Sequence, residues 1–295
     1  MKIQASPSPS PMPSRAFVLA GYLLIAAVGI LAYANSLQVP FLFDDKPTLL
    51  NNPSIRALWP PSRALWAPPD ASTAGRPLAN VSFALNFAAG GLSVAGYHAV
   101  NLAIHILAGF LLFALARQTL AWPPMKAFPA RAAGWLSLAC ALLWIAHPLN
   151  TQAVTYLTQR CESLAALCMM LALYGAVRGW RAEKPLPWHV LTVFAFLAGT
   201  GVKETVAGLP LFILLYDRTF VHRNLGRCLA SSWFLYAGLA AGWGLLGLLL
   251  ATGRAHAAVG DLPFTALGYA RTQALVLAHY LRLTVWPRPL VLDYA

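Results

Sequence analysis

The sequence predicts an all-α polytopic membrane protein, and three observations carry that reading. Of its 295 residues, 59% are hydrophobic. Only 10% are charged, against roughly 25% in an ordinary soluble domain. The apolar residues gather in long runs separated by short basic stretches, the pattern of helices that cross a bilayer and of loops that orient them. The formal charge of +12 is spread over those loops, with no basic helix or arginine-rich block. It reads as charge that sets orientation and meets anionic lipid, not as a nucleic-acid surface. Cys140, Cys161, Cys168 and Cys228 form no CxxC pair and read as small buried hydrophobes.

The elements follow in order. Residues 1–14 are rich in Ser and Pro without apolar periodicity, so a disordered tail is expected. A first span covers 16–34, nineteen residues without a charge, and Lys2 and Arg15 before it favour a cytoplasmic N-terminus. Residues 35–96 form a long outer loop that holds Asp44, Asp45 and Asp70. Within it, Leu78, Val81 and Leu85 recur at helical spacing over 77–87 with Asn80 on another face, which predicts a short interfacial helix. The second span is 97–120 and the third 132–146, with Lys126 and Arg131 in the loop between them.

Residues 147–162 are too polar to cross. Gln152, Tyr156, Gln159, Arg160 and Ser163 share one helical face, and Ala153, Val154, Leu157 and Cys161 occupy the other. A second interfacial helix is therefore expected, running into a fourth span over 164–177. Residues 188–216 hold two apolar stretches split by Gly201-Val202-Lys203-Glu204. Two short tilted spans joined by a turn near the outer surface keep Arg218, Arg223 and Arg227 inside. A seventh span over 230–252 carries Gly238 and Gly242 as a GxxxG packing face. The last apolar helix, 267–285, has Arg271 and Arg282 near its ends and reads as interfacial or re-entrant, which leaves Asp293 outside. On this topology seven of the nine acids fall on or near the outer side, so the chemistry is expected to face outward.

Asp44-Asp45 is the sharpest chemical feature. Two adjacent carboxylates beside Phe41-Leu42-Phe43 sit in a poorly hydrated place, where burial and mutual repulsion raise one pKa towards that of a general base. A solvated loop pair or a helix cap is the alternative. Lys203-Glu204 is charged at a depth where charge is costly, so either a functional partner or a local ion pair is expected. Arg160 and Glu162 flank Cys161 at the start of the fourth span; a cation there holds a phosphate or snorkels to headgroups. His98, Asn101 and His105 share one face of the second span and are expected to make interhelical hydrogen bonds rather than bind metal. His147-Pro148 ends a helix with its imidazole towards the outer side, and Asn80-Val81-Ser82 is a formal glycosylation sequon. No Walker loop, HExxH, GxSxG or strand-borne GxGxxG is present in the sequence, which excludes the usual ATPases, zinc proteases, serine hydrolases and dinucleotide enzymes.

Taken in order, these motifs resemble the transmembrane and tetratricopeptide-repeat O-mannosyltransferase family and its bacterial relatives. Tyr33-Ala34-Asn35-Ser36, Phe41-Leu42-Phe43-Asp44-Asp45 and Asn51-Asn52-Pro53 look like that family's first outer loop. Arg76-Pro77-Leu78 with Asn86-Phe87, then Gly96-Tyr97-His98-Ala99-Val100-Asn101 and His105, match its next part. His147-Pro148, Thr151, Ala153-Val154, Arg160 and Glu162 look like its second outer loop, and Lys203-Glu204 with Leu215-Tyr216-Asp217 its KE and YD positions. His279-Tyr280-Leu281 and Pro287 through Asp293-Tyr294 resemble a later outer segment.

The resemblance implies a GT-C-like helical bundle of about seven to eight spans, with interfacial helices in the outer loops. It implies transfer of a sugar, mannose-like, from a polyprenyl- or dolichyl-phosphate carrier to an acceptor hydroxyl on protein or glycan. An acid of the first outer loop would be the base, which maps to Asp44 or Asp45. Arg160, Lys203 and Arg282 are candidates to hold the donor phosphate, with His98, His147, Glu162 and Glu204 in support. No cofactor is implied, and two adjacent acids are a thin ligand set for a divalent metal. The active face would be periplasmic in a bacterial inner membrane, or lumenal in an endoplasmic-reticulum membrane. Gln152 stands where the family pattern suggests an acid, and the repeats that relatives carry after the Asp-Tyr motif are missing here. The expectation is a minimal or truncated core, 15–295, that works with a C-terminal or repeat-bearing partner. The alternative is a non-catalytic membrane subunit or lipid-sugar-binding scaffold.

Overall fold

A computed structural model describes residues 14–122, 125, 129–251 and 266–291, and the regular structure among them is all helical. The first helix, α1 (Arg15–Tyr33), begins at Ser14, whose hydroxyl accepts the Phe17 amide at 3.2 Å. Ser14 therefore belongs to the helix rather than to the expected tail, the rest of which lies outside the described residues. The first loop carries α2 (Pro61–Leu65) and α3 (Pro77–Gly90). Then come α4 (Val94–Leu120), α5 (Ala130–Ile145), α6 (Thr151–Thr155), α7 (Arg160–Gly179), α8 (Leu186–Thr200), α9 (Leu209–Tyr216), α10 (Leu225–Ser231), α11 (Trp233–Ala251) and α12 (Ala266–Val285).

Four segments among the described residues are long and apolar enough to cross a membrane, Arg15–Gln38, Val94–Leu120, Leu157–Gly179 and Trp233–Ala251. The bent pair Ala130–Ile145 and Pro148–Thr155 makes a fifth. The chain is a multi-pass helical membrane protein. The expected seven to eight spans are not reached by this measure, because α8 has 15 residues and α9 only 8, short of the ~20 that a full crossing takes.

Hydrogen bonds mark two ends of the bundle. At one end Tyr216 meets Thr119 at 3.0 Å and stacks on Trp180, whose indole N–H donates to Ser232 at 3.1 Å. Arg181 donates there to the Gln118 carbonyl at 3.2 Å. At the other end the first loop closes over the joint between α6 and α7 and over the turn between α8 and α9. There the Leu78 amide donates to the Gly201 carbonyl at 2.8 Å.

Apolar clusters hold this frame. Ile25, Phe113, Leu138, Ala141 and Ile145 join α1, α4 and α5. Ala165, Ala172, Ala176, Phe196, Ile213 and Leu239 join α7, α8, α9 and α11. Leu49, Ile55 and Phe83 of the first loop pack with Tyr97 of α4 and with Leu157, just before α7. The GxxxG face packs α11 on α8: a Cβ built on Gly238 would stand 2.5 Å from Val193 Cγ2, and one on Gly242 would stand 2.4 Å from Phe196 Cε1.

One sequence expectation fails at the loops. The helix expected over 147–162 is instead a 3-10 turn at Pro148–Asn150, the short α6, an extended Tyr156 and a second 3-10 turn, with α7 starting at Arg160 itself. Its intended polar face is largely buried as well: Tyr156, Arg160 and Ser163 lie inside together with Val154, Leu157 and Cys161 of the apolar face, and Gln152 stays exposed. The short helix expected over 77–87 is present as α3, with Leu78 and Leu85 exposed and Asn80, on another face, fully buried and donating to Ser54 at 2.8 Å and to the Ala64 carbonyl at 2.8 Å. A sequon asparagine so engaged is closed to glycosylation.

Candidate active site

The site grows out of a tight turn at 42–45. The Asp45 amide donates to the Leu42 carbonyl at 2.8 Å, and the Asp45 carboxylate accepts the Leu42 amide through Oδ2 at 3.0 Å. Its Oδ1 accepts the Thr158 amide, also at 3.0 Å, which ties the first loop to the start of α7. Between these bonds Phe43 is held at φ 39°, a conformation that a bulky residue keeps only where its surroundings over-determine it.

This turn splits the acidic pair. Asp45 is 1% exposed, and burial pushes its carboxyl above the ordinary range although the Leu42 and Thr158 hydrogen bonds pull it down. Asp44 stays exposed, and its amide donates to the Tyr156 hydroxyl at 2.9 Å. The doublet is one brace and one free carboxylate.

Asp44 lines a cleft of about 220 Å³ together with Ser72, Arg76, Thr158, Gln159, Cys161 and Lys203. Both cations in that lining are held by acids. Arg76 makes a forked pair with Glu204, Nη2 to Oε2 at 3.2 Å and Nε to Oε1 at 3.3 Å, and donates from Nη1 to the Ser72 carbonyl at 2.9 Å. Lys203 pairs with Glu162 at the first turn of α7. Burial alone would raise the Glu204 carboxyl, but a backbone hydrogen bond and the charges of Arg76 and Lys203 outweigh it and hold the group below the usual carboxylate range. The cleft thus offers an exposed carboxylate on one side and two partly buried cations on the other.

The other sequence candidates serve the walls. Arg160 is 0% exposed. Its guanidinium donates to Asn101 Oδ1 at 2.6 Å, Asn86 Oδ1 at 2.8 Å, the Tyr97 carbonyl at 3.0 Å and the Ser82 carbonyl at 3.2 Å, and lies 4.2 Å over the Phe83 ring. It joins α3, α4 and α7 from within, which corrects its reading as a phosphate ligand. Arg282 is exposed on the last turn of α12 and does not line the cleft. His98 sits behind the first loop, donating from Nε2 to the Val39 carbonyl at 3.0 Å, and His105 donates to the Ile145 carbonyl at 3.0 Å across α4 and α5. His105 makes the interhelical bond expected of it, whereas His98 ties α4 to the first loop rather than to another helix. His147 accepts the Leu149 amide through Nδ1 at 3.2 Å and donates from Nε2 to the Thr284 carbonyl at 3.1 Å, so it docks the end of α12. Glu162 and Glu204 are the two counter-charges of the cleft. Arg76 is the site residue that the sequence marks only faintly, as the position before the helix-opening Pro77.

Comparison with characterised proteins meets this geometry. Residues of the chain are 33% identical over 195 positions to Drosophila melanogaster protein O-mannosyl-transferase Tmtc1, covering 63% of the chain. They are 31% identical over 209 positions to Tmtc2 of the same species and 30% identical over 215 positions to human TMTC1, covering 66% of the chain in each case. Over about two thirds of its length the chain is similar to TMTC protein O-mannosyl-transferases. The family resemblance carried by the motifs is thereby borne out. The chain spans only about a fifth of the length of these relatives, 21%, 21% and 23% of each. No family profile matches the chain. No solved structure matches it either.

Proposed function

We propose that this chain transfers a mannose-like sugar from a polyprenyl- or dolichyl-phosphate carrier to a Ser or Thr hydroxyl of a protein acceptor, with inversion at the anomeric carbon. The observation that carries this reading is the cleft, where the exposed Asp44 faces the same small volume as Arg76 and Lys203. In the reaction Asp44 accepts the proton of the acceptor hydroxyl as its oxygen bonds to the anomeric carbon. The bond from that carbon to the carrier's phosphate oxygen breaks, through an oxocarbenium-like transition state. The departing lipid phosphate gains negative charge, and Arg76 and Lys203 are the cations placed to stabilise it. Their pairing with Glu204 and Glu162 keeps both side chains extended towards the cleft before the donor arrives.

The same reading sets the topology. The segments that join the two ends of the bundle, the short α8 and α9 among them, cross in seven to eight passes, with the cleft on the outer face and the basic end inside. The apolar side chains exposed along α3 and α9, Leu78, Leu85, Leu211, Phe212 and Leu215, offer lipid-facing surface for a carrier's isoprenoid tail. The acceptor protein and a repeat-bearing partner approach from the outer side.

The test is transfer of radiolabelled sugar from the carrier to an acceptor peptide by the purified chain in liposomes, alone and with a co-expressed repeat-bearing partner. Transfer by the wild type that is lost in Asp44→Asn supports the reading. Carrier binding without turnover in both conditions would leave a lipid-sugar-binding subunit instead.

A further inference from the structure

At the basic end of the bundle, remote from the cleft, a second group of reactive side chains comes together. Asp217 follows α9, His222 lies in the next turn and Cys228 sits on α10. One carboxylate oxygen, one imidazole nitrogen and the Cys228 sulfur all lie within 4.8 Å of one another. Asp217 and Cys228 are both 0% exposed. His222 Nδ1 is 2.6 Å from Asp217 Oδ1, and the Tyr236 hydroxyl, from α11, donates to Asp217 Oδ2 at 2.7 Å. The neighbouring Arg218, Arg223 and Arg227 are exposed.

We propose that Asp217, His222 and Cys228 bind a divalent transition-metal cation of the zinc class. Three arguments converge on that class. A carboxylate, an imidazole and a thiolate are a mixed oxygen, nitrogen and sulfur set, which suits a borderline-soft ion and does not suit calcium or magnesium. Ligand atoms around tetrahedral zinc stand about 3.3–3.7 Å apart, given bonds of about 2.0–2.3 Å, so the triad needs adjustments of about an ångström. One carboxylate and one thiolate also neutralise a divalent ion, which removes the cost of an uncompensated charge in a buried place.

Binding is balanced in protons. The Cys228 thiol gives up its proton to solvent and becomes the ligand, and the neutral His222 imidazole carries its single ring proton on Nε2, which frees Nδ1 and Asp217 Oδ1 for the metal. Tyr236 keeps its hydrogen bond to the other carboxylate oxygen and orients it. Three protein ligands leave the fourth position to water. A metal so held would pin the connection between α9 and α10 against α11, a structural clamp at the end opposite the cleft.

The experiment uses the full chain in detergent, stripped with a chelator and then titrated with Zn²⁺ or with Co²⁺ as a spectroscopic probe. The expected result is one equivalent of metal per chain, a raised unfolding temperature with Zn²⁺, and thiolate-to-cobalt charge-transfer absorption. That absorption should vanish in Cys228→Ser and persist in Cys140→Ser, while His222→Gln should weaken Zn²⁺ binding at least about tenfold. No bound metal in the wild type, or charge-transfer absorption that survives Cys228→Ser, would overturn the proposal. If Cys228→Ser does not fold, His222→Gln decides alone, since an unchanged affinity there also overturns it.

Discussion

Asp45 accepts the Thr158 amide at 3.0 Å across 113 positions of sequence, while its neighbour Asp44 leaves its carboxylate exposed to the cleft. The two acids therefore predict different phenotypes. Asp45→Ala strands the Leu42 and Thr158 amides, at about 1–3 kcal/mol for each donor left unpaired. Its unfolding temperature should fall, and activity should fall with it through loss of the turn. Asp44→Asn should leave the unfolding temperature within a degree or two, because nothing buried depends on that carboxylate, and should remove transfer. Equal destabilisation by both substitutions would mean that the pair is not divided in this way.

Arg160 gives the second prediction. It fills the junction of three helices, and Arg160→Met would leave the acceptors on Asn86 and Asn101 without their donor. The cost should be about 3–5 kcal/mol, as for breaking a buried charged network by removing one partner. Any protein recovered should bind donor with near-normal affinity in proportion to its folded fraction. A folded variant whose donor KM alone rises would restore Arg160 to the phosphate.

Much of this arrangement was legible in the sequence, for reasons that can be named. The apolar runs gave the long helices because a bilayer demands uninterrupted hydrophobicity, and Gly238 with Gly242 gave the α8–α11 contact because only a missing Cβ allows that approach. Asp44-Asp45 stood out as charge in an apolar setting. What periodicity missed was polarity turned inward. Around 147–163, Arg160 and Tyr156 looked like a wet face, but their partners, Asn86, Asn101 and the Asp44 amide, come from segments more than 50 positions away. No local pattern encodes such partners, and the same blindness hid Asn80 and the role of Arg76.

For the cleft cations the prediction is kinetic. Arg76→Met and Lys203→Met should each lower kcat/KM for the lipid-phosphate donor by about 10–100-fold, the usual loss when one charged donor to a developing anion is removed. Arg282→Met, outside the cleft, should change it less than about threefold, a difference of under about 0.7 kcal/mol. Steady-state kinetics across the three variants checks this, and a loss in Arg282→Met as large as in Arg76→Met would move the donor site towards α12.

The ion pair of Arg76 with Glu204 sets a pH dependence whose sign follows from the shift. Glu204 titrates below its ordinary 4.5 in the folded chain, so its contribution to stability is complete above that value and is lost as pH falls through the lowered one. Asp45 has the opposite sign: its carboxyl is raised above 3.8 by burial, so its contribution is present below 3.8 and fades as pH rises through the raised value. Unfolding midpoints measured from about pH 6 to pH 3 should therefore fall less steeply in Glu204→Gln than in the wild type. Equal slopes would show that the pair is solvated away.

The last prediction separates packing from helix propensity on one helix. A Cβ at Gly242 would stand 2.4 Å from the buried Phe196 ring, so Gly242→Ala must push that ring or part α11 from α8. Overpacking of this kind costs about 1–3 kcal/mol, more than the helix propensity of alanine returns. Gly244 and Gly247, on the same helix, have nothing within 4 Å of a built Cβ. Alanine there adds propensity without a clash and should leave stability unchanged or raise it by up to about 1 kcal/mol. Thermal unfolding of the three variants in one detergent provides the comparison. Destabilisation confined to Gly242→Ala assigns its cost to the contact with α8, whereas equal loss at Gly244 would require a partner on the face of α11 that is open here.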